Sequence, residues 1–197
     1  MNQEEGIIRD YLGSFRGRLL DLGASDGMTG SNTRYFVDSG WQAVLVEASY
    51  KYMTQLMNLY HDDPNVEIVH GLVTPREAGL VRFYDCDDPA LSTISEDLKA
   101  RGFGRETARK MWIPSFSVGQ LYDKFGDFHY VNIDLEGLSI AILKSVHWLK
   151  MDCRVLCVEA FKEYVFGKDE APEIIDVGKS AGYKFLARTN ENVILVR

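Results

Sequence analysis

The chain has 197 residues, of which 46% are hydrophobic and 26% are charged, enough apolar material for a single globular domain over residues 1–197. Neither intrinsic disorder nor a disulfide scaffold is expected from this composition. The 22 basic and 29 acidic residues give a net charge of −7, which argues against nucleic acid or an anionic membrane as a partner.

Cysteine usage and the lack of export signals predict a cytoplasmic location. The three cysteines, Cys86, Cys153 and Cys157, form no CxxC pair, so we expect reduced, buried thiols and no metal site. Residues 1–10 are polar and acidic, unlike a signal peptide. No apolar run approaches the roughly 20 residues that a membrane-spanning helix needs.

Short apolar strands alternate with amphipathic helices along the chain, and this alternation predicts an α/β fold built on a mostly parallel sheet. In chain order we predict strand 18–22, helix 32–39, strand 43–47, helix 50–60, strands 66–70 and 80–84, a helical segment 95–110, helix 118–125, strand 129–134, helix 138–146, strand 155–159, helix 172–181 and strands 183–187 and 192–196. Right-handed crossovers place helices on both faces of the sheet. The short polar turn 189–191 makes the last two strands an antiparallel hairpin.

A glycine-containing turn, Asp21-Leu22-Gly23-Ala24-Ser25-Asp26-Gly27, ends the first strand. Glycines let the backbone turn sharply and approach a ligand at the carboxyl edge of a parallel sheet. The spacing is neither the G-x-G-x-x-G of pyrophosphate binding nor a P-loop. Asp21 suits a positively charged ligand, although the pattern is also compatible with a plain turn after a buried strand.

Glu47 ends the second strand, at the position where dinucleotide folds carry an acid that binds ribose hydroxyls. A carboxylate at the end of an apolar run is costly without a partner, and two vicinal hydroxyls are such a partner. The alternative is a solvent-exposed glutamate. With the glycine turn, Glu47 predicts an adenosine ligand without a pyrophosphate requirement, which favours S-adenosylmethionine over NAD.

Two carboxylates follow the strand at 129–134 in the stretch Asn132-Ile133-Asp134-Leu135-Glu136-Gly137. If the strand continues, Asp134 and Glu136 lie on the same side and face the crevice. They can then take a proton from an acceptor hydroxyl, position it, or hold a divalent cation. Asp134 can instead simply cap the next helix. Glu159, at the end of a later strand, is a weaker candidate.

Several of these motifs resemble the FkbM-type methyltransferase family. They are residues 21–27, Ser31-Asn32-Thr33, Gly40-Trp41, Val46-Glu47, Ile133-Asp134-Leu135-Glu136-Gly137, Ile142-Leu143 and His147-Trp148. The resemblance implies a Rossmann-like class I methyltransferase fold with a seven-stranded sheet, S-adenosylmethionine as the methyl donor, and O-methylation of sugar or polyketide-like hydroxyls. Asp21, Gly23, Ser25 and Glu47 fall on the family's cofactor positions. Asn132 departs from the pattern, which usually has lysine or serine there.

The combined prediction is an S-adenosylmethionine-dependent methyltransferase acting on a hydroxyl of a sugar, glycan or polyketide-like small molecule. The predicted cofactor-binding residues are Asp21, Gly23, Ala24, Ser25, Asp26, Gly27, Glu47, Ala48, Gly71, Leu72, Val73 and Asp134. Asp134 and Glu136 are the predicted catalytic residues, and 85–114 is the predicted acceptor-side insertion or cover. The alternatives are methylation of nitrogen or of a protein side chain, and a non-catalytic module that binds S-adenosylmethionine.

Two further features have both a functional and a structural interpretation. His70, at the end of the third strand, can serve as a base or as a local structural residue. A basic stripe on the predicted helical segment can hold an anionic acceptor or form a solvated face. Its members are Arg101, Arg105, Arg109 and Lys110.

Overall fold

A computed structural model of the chain describes residues 2–76, 79–86, 109–135, 137–160 and 169–197. The strands are β1 (Arg18–Leu22), β2 (Gln42–Glu47), β3 (Val66–His70), β4 (Leu72–Val73), β5 (Gly79–Asp85), β6 (Arg109–Phe116), β7 (Tyr130–Ile133), β8 (Val155–Glu159), β9 (Lys184–Arg188) and β10 (Asn192–Val196). The helices in these ranges are α1 (Gln3–Leu12), α2 (Arg34–Asp38), α3 (Tyr50–Tyr60), α4 (Val118–Phe125), α5 (Ser139–Ser145) and α6 (Ala171–Ser180), with a 3₁₀ turn at Trp148–Lys150.

Seven strands form the main sheet in the order β3-β2-β1-β7-β8-β10-β9. The first five are parallel to one another, and β10 runs antiparallel to both β8 and β9. This confirms the predicted Rossmann-like class I methyltransferase fold, a mostly parallel seven-stranded sheet closed by a C-terminal antiparallel hairpin. In the register, Leu22 pairs with Val46 of β2 and with Ile133 of β7, so these three strands end together.

Helices cover both faces of this sheet. On one face, Leu20 belongs to a buried cluster that includes residues of α4, α5 and α6, among them Ile174. On the other face, Leu19 belongs to a buried cluster that includes residues of α1, α2 and α3, among them Ile8. Because both faces are covered, the central strands are buried at successive residues rather than at every second one. No helix in the described part of the chain is long and apolar enough to cross a bilayer.

A second, three-stranded sheet has the order β4-β6-β5. The prediction of helix for 95–110 is wrong at its end, because Arg109 and Lys110 belong to β6 and pair antiparallel with β5. These two residues are therefore not part of a helical basic stripe. Arg101 and Arg105 lie outside the described residues, as does the rest of that segment up to residue 108.

Candidate active site

A cavity of about 280 Å³ opens at the carboxyl edge of β1, β2 and β7. This volume is close to the lower end of the range for small-molecule sites, roughly 300–1,000 Å³. Its described lining is Asp21, Gly23, Ala24, Ser25, Thr29, Gly30, Ser31, Asn32, Val46, Glu47, Ala48, Tyr52, Gly71, Leu72, Val73, Phe83, Asn132, Asp134, Leu135, Leu138 and Glu191. The structure therefore brings together ten of the twelve predicted cofactor residues.

The turn after β1 holds the backbone tightly against both neighbouring strands. The N–H groups of Gly23 and Ala24 both donate to the carbonyl of Val46, at 3.0 and 3.1 Å. Gly23 has φ +87°, and a Cβ added there would lie 1.9 Å from the carbonyl oxygen of Asp134. Only glycine fits this position. Ser25 is also left-handed, with φ +54°, and its N–H donates to Glu47, which lines the cavity.

Asp26 and Gly27 do not line the cavity, unlike the rest of the predicted turn. The Asp26 carboxylate accepts the N–H groups of Met28 and Thr29, both at 2.7 Å, and so closes the loop on itself. Gly27, with φ +72°, faces α3, where a Cβ would lie 2.7 Å from Leu56. Both residues therefore stabilise the conformation of the loop and its packing on α3, and neither contributes to the surface of the cavity.

Glu47 turns into the crevice beside this loop. Its Oε2 accepts the Ser25 N–H at 2.9 Å, and its Oε1 accepts the N–H groups of Ala48 and Ser49 at 2.9 and 2.7 Å. The side chain is 8% exposed, and burial raises its pKa from 4.5 to about 6 despite the three backbone donors. A carboxylate has about four acceptor positions, so one remains for a ligand hydroxyl.

Asp21 is the most buried carboxylate at the cavity and is held by two side chains. Thr33 Oγ1 donates to its Oδ2 at 2.6 Å, and Asn132 Nδ2 donates to its Oδ1 at 2.8 Å. Burial raises the pKa of Asp21, while both hydrogen bonds act to lower it. The sequence interpretation looked to a ligand cation as the partner of Asp21, whereas these two residues are the partners within the protein.

Asp134 lies at the cavity directly after the end of β7. Its N–H donates to the Leu22 carbonyl at 2.9 Å, and its side chain is half-buried. The strand ends at Ile133, so strand alternation does not extend to Glu136, which lies outside the described residues. Asp134 does not cap α5, whose N-cap residue is Leu138 and carries no side-chain capping bond.

Glu159 and His70 do not belong to the described cavity lining, and each contacts a neighbouring residue. Ser139 Oγ donates to Glu159 at 3.1 Å and accepts the Leu135 N–H at 3.2 Å. His70 Nε2 lies 3.1 Å from the carbonyl oxygen of Ala48. These contacts favour the structural interpretation of both side chains.

The segment from β3 to β4 forms the opposite wall of the cavity. Gly71, Leu72 and Val73 all line it, as predicted for the adenine side, and Phe83 joins them from β5. A Cβ at Gly71 would lie 2.6 Å from the ring of Phe116, so the absence of a side chain lets β4 pack against β6.

Comparisons with known proteins agree with this geometry. Residues 21–185 match the methyltransferase FkbM domain. The chain belongs to this methyltransferase family. Among solved structures, the methyltransferase FkbM from Methylobacillus flagellatus KT is similar to this chain, with 13% identity, a TM-score of 0.62, and coverage of 100% of this chain and 48% of that one. This chain thus spans about half the length of that relative.

Two further structures share the fold. Aeropyrum pernix fibrillarin, in complex with natively bound S-adenosyl-L-methionine, has 13% identity and a TM-score of 0.50, with coverage of 91% of this chain and 66% of that one. Precorrin-6y C5,15-methyltransferase from Geobacter metallireducens GS-15 has 10% identity and a TM-score of 0.52, with coverage of 98% and 86%. No curated protein matches the sequence.

The cavity of this FkbM-family chain is lined by four carboxylates. They are Asp21, Glu47, Asp134 and Glu191, and the described lining includes no lysine, arginine or histidine. Such a site attracts a positively charged ligand and repels a pyrophosphate. Within the described ranges, no cluster of three His, Cys, Asp or Glu side chains suits a metal ion.

Sequence reasoning missed eleven described lining residues: Thr29, Gly30, Ser31, Asn32, Val46, Tyr52, Phe83, Asn132, Leu135, Leu138 and Glu191. Ser31 and Asn32 belong to a motif that carries the family resemblance, so that signal was available for them. Glu191 lies in the turn between β9 and β10, far from the others in sequence, and only the tertiary fold brings it here.

Proposed function

We propose that this chain is an S-adenosylmethionine-dependent methyltransferase that methylates a hydroxyl oxygen of a sugar, glycan or polyketide-like small molecule. The observation that carries this proposal is the placement of the Gly23 turn and the Glu47 carboxylate in one acid-lined cavity. S-adenosylmethionine has a ribose diol for Glu47 and carries a positively charged sulfur and an ammonium group. NAD, in contrast, would bring a pyrophosphate to a described lining without a basic side chain.

The described residues provide a place for each part of this cofactor. Glu47 would accept a ribose hydroxyl at its remaining acceptor position, and the Gly23 turn leaves room for close approach of the ligand. Leu72 and Val73 would contact the adenine on the far wall. Asp21, which also lines the cavity, would contribute negative charge near the sulfonium end.

When bound, the cofactor supplies a methyl group that is already activated by the positive sulfur. The protein has mainly to align the acceptor oxygen and receive its proton. We assign that role to Asp134, whose carboxylate would receive the hydroxyl proton as the acceptor oxygen takes the methyl group. Glu136 stays a second candidate from the sequence. Leu135 and Leu138 line the same cavity, and their apolar side chains would limit the access of water to the acceptor oxygen.

The segment 85–114 is the proposed cover on the acceptor side, within a single domain. Its described ends belong to β5 and β6, and β5 also carries Phe83, which lines the cavity. We expect the acceptor molecule to bind on this side of the cavity.

Calorimetric titration tests the cofactor assignment. S-adenosylhomocysteine should bind the wild-type protein and raise its melting temperature, whereas NAD at the same concentration should do neither. A methyl-transfer assay with labelled S-adenosylmethionine over hydroxyl, amine and protein acceptors then tests the oxygen assignment. No binding at millimolar S-adenosylhomocysteine would overturn the cofactor proposal, and label found only on nitrogen would overturn O-methylation.

A further inference from the structure

The first turn of α1 lies directly behind the loop that lines the cavity. Asn2 is the N-cap residue of α1: its Oδ1 accepts the Glu5 N–H at 2.8 Å, and Glu5 Oε2 accepts the Asn2 N–H at 2.9 Å. The Asn2 amide also donates outward, to the carbonyl of Ser31 and to Oδ1 of Asn32, both at 2.9 Å. Ser31 and Asn32 both line the cavity.

From Asn32, a chain of side-chain amides continues to Asp21. Asn32 Nδ2 donates to Asn132 Oδ1 at 3.2 Å, and Asn132 Nδ2 donates to Asp21 Oδ1 at 2.8 Å. All three residues are at most 4% exposed. Each amide donates in the same direction, so that Asn2 lies at one end and the carboxylate at the other. Aligned hydrogen bonds in a buried site polarise and strengthen one another.

Glu5 makes a second connection to the same loop. Thr33 is the N-cap residue of α2, but its hydroxyl donates to Asp21 and makes no capping bond. Glu5 Oε1 accepts the Tyr35 N–H of α2 at 2.6 Å instead. A side chain of α1 therefore supplies the cap that Thr33 does not, and Thr33 remains available to hold the carboxylate.

We propose that Asn2 and Glu5 are positioning residues for the cofactor site, although neither lines the cavity. They hold Asn32, Thr33 and, through these, Asp21 in the geometry that binds the cofactor. Docking of α1 and binding of the cofactor then strengthen each other, because coupling between two binding events is reciprocal. This inference rests on the proposed function.

Three variants test the two connections. Asn2→Ser keeps a hydroxyl that caps α1 but is too short to donate to Ser31 and Asn32. Glu5→Ala removes the acceptors for both the Tyr35 N–H and the Asn2 N–H, whereas Glu5→Gln keeps one acceptor oxygen, for the Tyr35 N–H. Tyr183→Phe is the matched control, because it removes one buried hydrogen bond, to the Cys153 carbonyl at 2.9 Å, beside residues that do not line the cavity.

Calorimetry measures the affinity of each variant for S-adenosylhomocysteine, and steady-state kinetics measures its KM and kcat with S-adenosylmethionine. One lost net hydrogen bond corresponds to roughly a 3- to 10-fold change in affinity, so Asn2→Ser and Glu5→Ala should each weaken binding by about that factor. The KM for the cofactor should rise equally while kcat stays within about twofold. Glu5→Gln should bind nearly as wild type, and Tyr183→Phe should lower the melting temperature without changing affinity.

Hydrogen exchange at the Tyr35 amide tests the same connection without a ligand. In the free protein, Glu5→Ala should make this exchange faster, because the Tyr35 N–H loses its acceptor. Binding should slow this exchange in wild type more than in Asn2→Ser. Wild-type protein that binds no S-adenosylhomocysteine overturns the proposed function. Wild type that binds, with Asn2→Ser and Glu5→Ala binding equally well, overturns the coupling alone. Equal weakening in Tyr183→Phe also overturns it, because general destabilisation would then explain the loss.

Discussion

Titration of Glu47 should control ligand binding near pH 6. Its carboxylate is buried, and burial raises its pKa from 4.5 to about 6. Ribose hydroxyls donate to the ionised form, so protonation competes with binding. With this pKa, about 99% of Glu47 is ionised at pH 8 and about 9% at pH 5, so affinity for S-adenosylhomocysteine should fall roughly tenfold across this range.

Calorimetric titrations at half-unit intervals from pH 5 to 8 test this expectation. The matched variant is Glu47→Gln, which should bind at least tenfold more weakly at pH 8 and lose the step near pH 6. Any pH dependence that survives in the variant belongs to other groups such as Asp21, whose pKa burial also raises. A wild-type dissociation constant that stays constant down to pH 5 would refute the reasoning.

The same group makes a prediction for the ligand-free protein. Its folded pKa lies above the unfolded value, so the folded state holds the proton more tightly and stability falls as pH rises through this window. The rise of the Glu47 pKa from 4.5 to about 6 corresponds to about 2 kcal/mol over the whole titration. The Glu47 side chain should therefore lower the free energy of unfolding by about 2 kcal/mol between pH 3 and pH 7. Urea denaturation of wild type and Glu47→Gln should show a difference that changes by this amount across the window, and a constant difference would contradict it.

Three other perturbations have expected outcomes. Gly23→Ala should lower the free energy of unfolding by about 3 kcal/mol or more in urea denaturation and abolish ligand binding, because the added Cβ collides with the Asp134 carbonyl oxygen. Gly40→Ala is the control: Gly40 has φ +83° but open space around it, so this substitution should lower the free energy of unfolding by only about 1–2 kcal/mol. Asp134→Asn should lower kcat by about 10²-fold or more, while the affinity for S-adenosylhomocysteine should change less than threefold. A kcat equal to that of the wild type would show that Asp134 has no role in catalysis. Burial raises the pKa of Cys153 to about 12 and that of Cys157 well above its usual value, so mass spectrometry should find both unmodified after iodoacetamide treatment of the native protein and alkylated after unfolding.

The main sheet could be predicted from the sequence because its inner strands are buried on both faces and therefore form apolar runs. Val66–His70 and Val155–Glu159 have the predicted bounds, as does helix α3. The second sheet was harder to predict. Its strand β6 begins with exposed Arg109 and Lys110, which continue a charged stretch that resembles a helical face, and its pairing with β5 spans a segment of more than 20 residues.

The candidate site was predictable where it follows directly from a strand end. Glu47 and the Gly23 turn lie in the cavity because the carboxyl ends of parallel strands meet at one edge. The amide chain could not be predicted, because it depends on which way Asn32 and Asn132 point across two strands and a loop. In the sequence, Asn132 is only a departure from the family pattern, whereas in the structure its side chain donates to Asp21 directly.

The close approach of Gly23 to the Asp134 carbonyl has a consequence for how acceptor preference can change. The donor loop after β1 and the acceptor loop after β7 touch through main-chain atoms, and the Asp134 N–H also bonds the Leu22 carbonyl. Backbone contact, rather than side-chain choice, therefore sets the spacing between the loop that would hold the cofactor and the residue that would receive the proton under the proposed function. Under that function, we expect side-chain exchanges elsewhere in the cavity to change acceptor preference while this spacing stays the same.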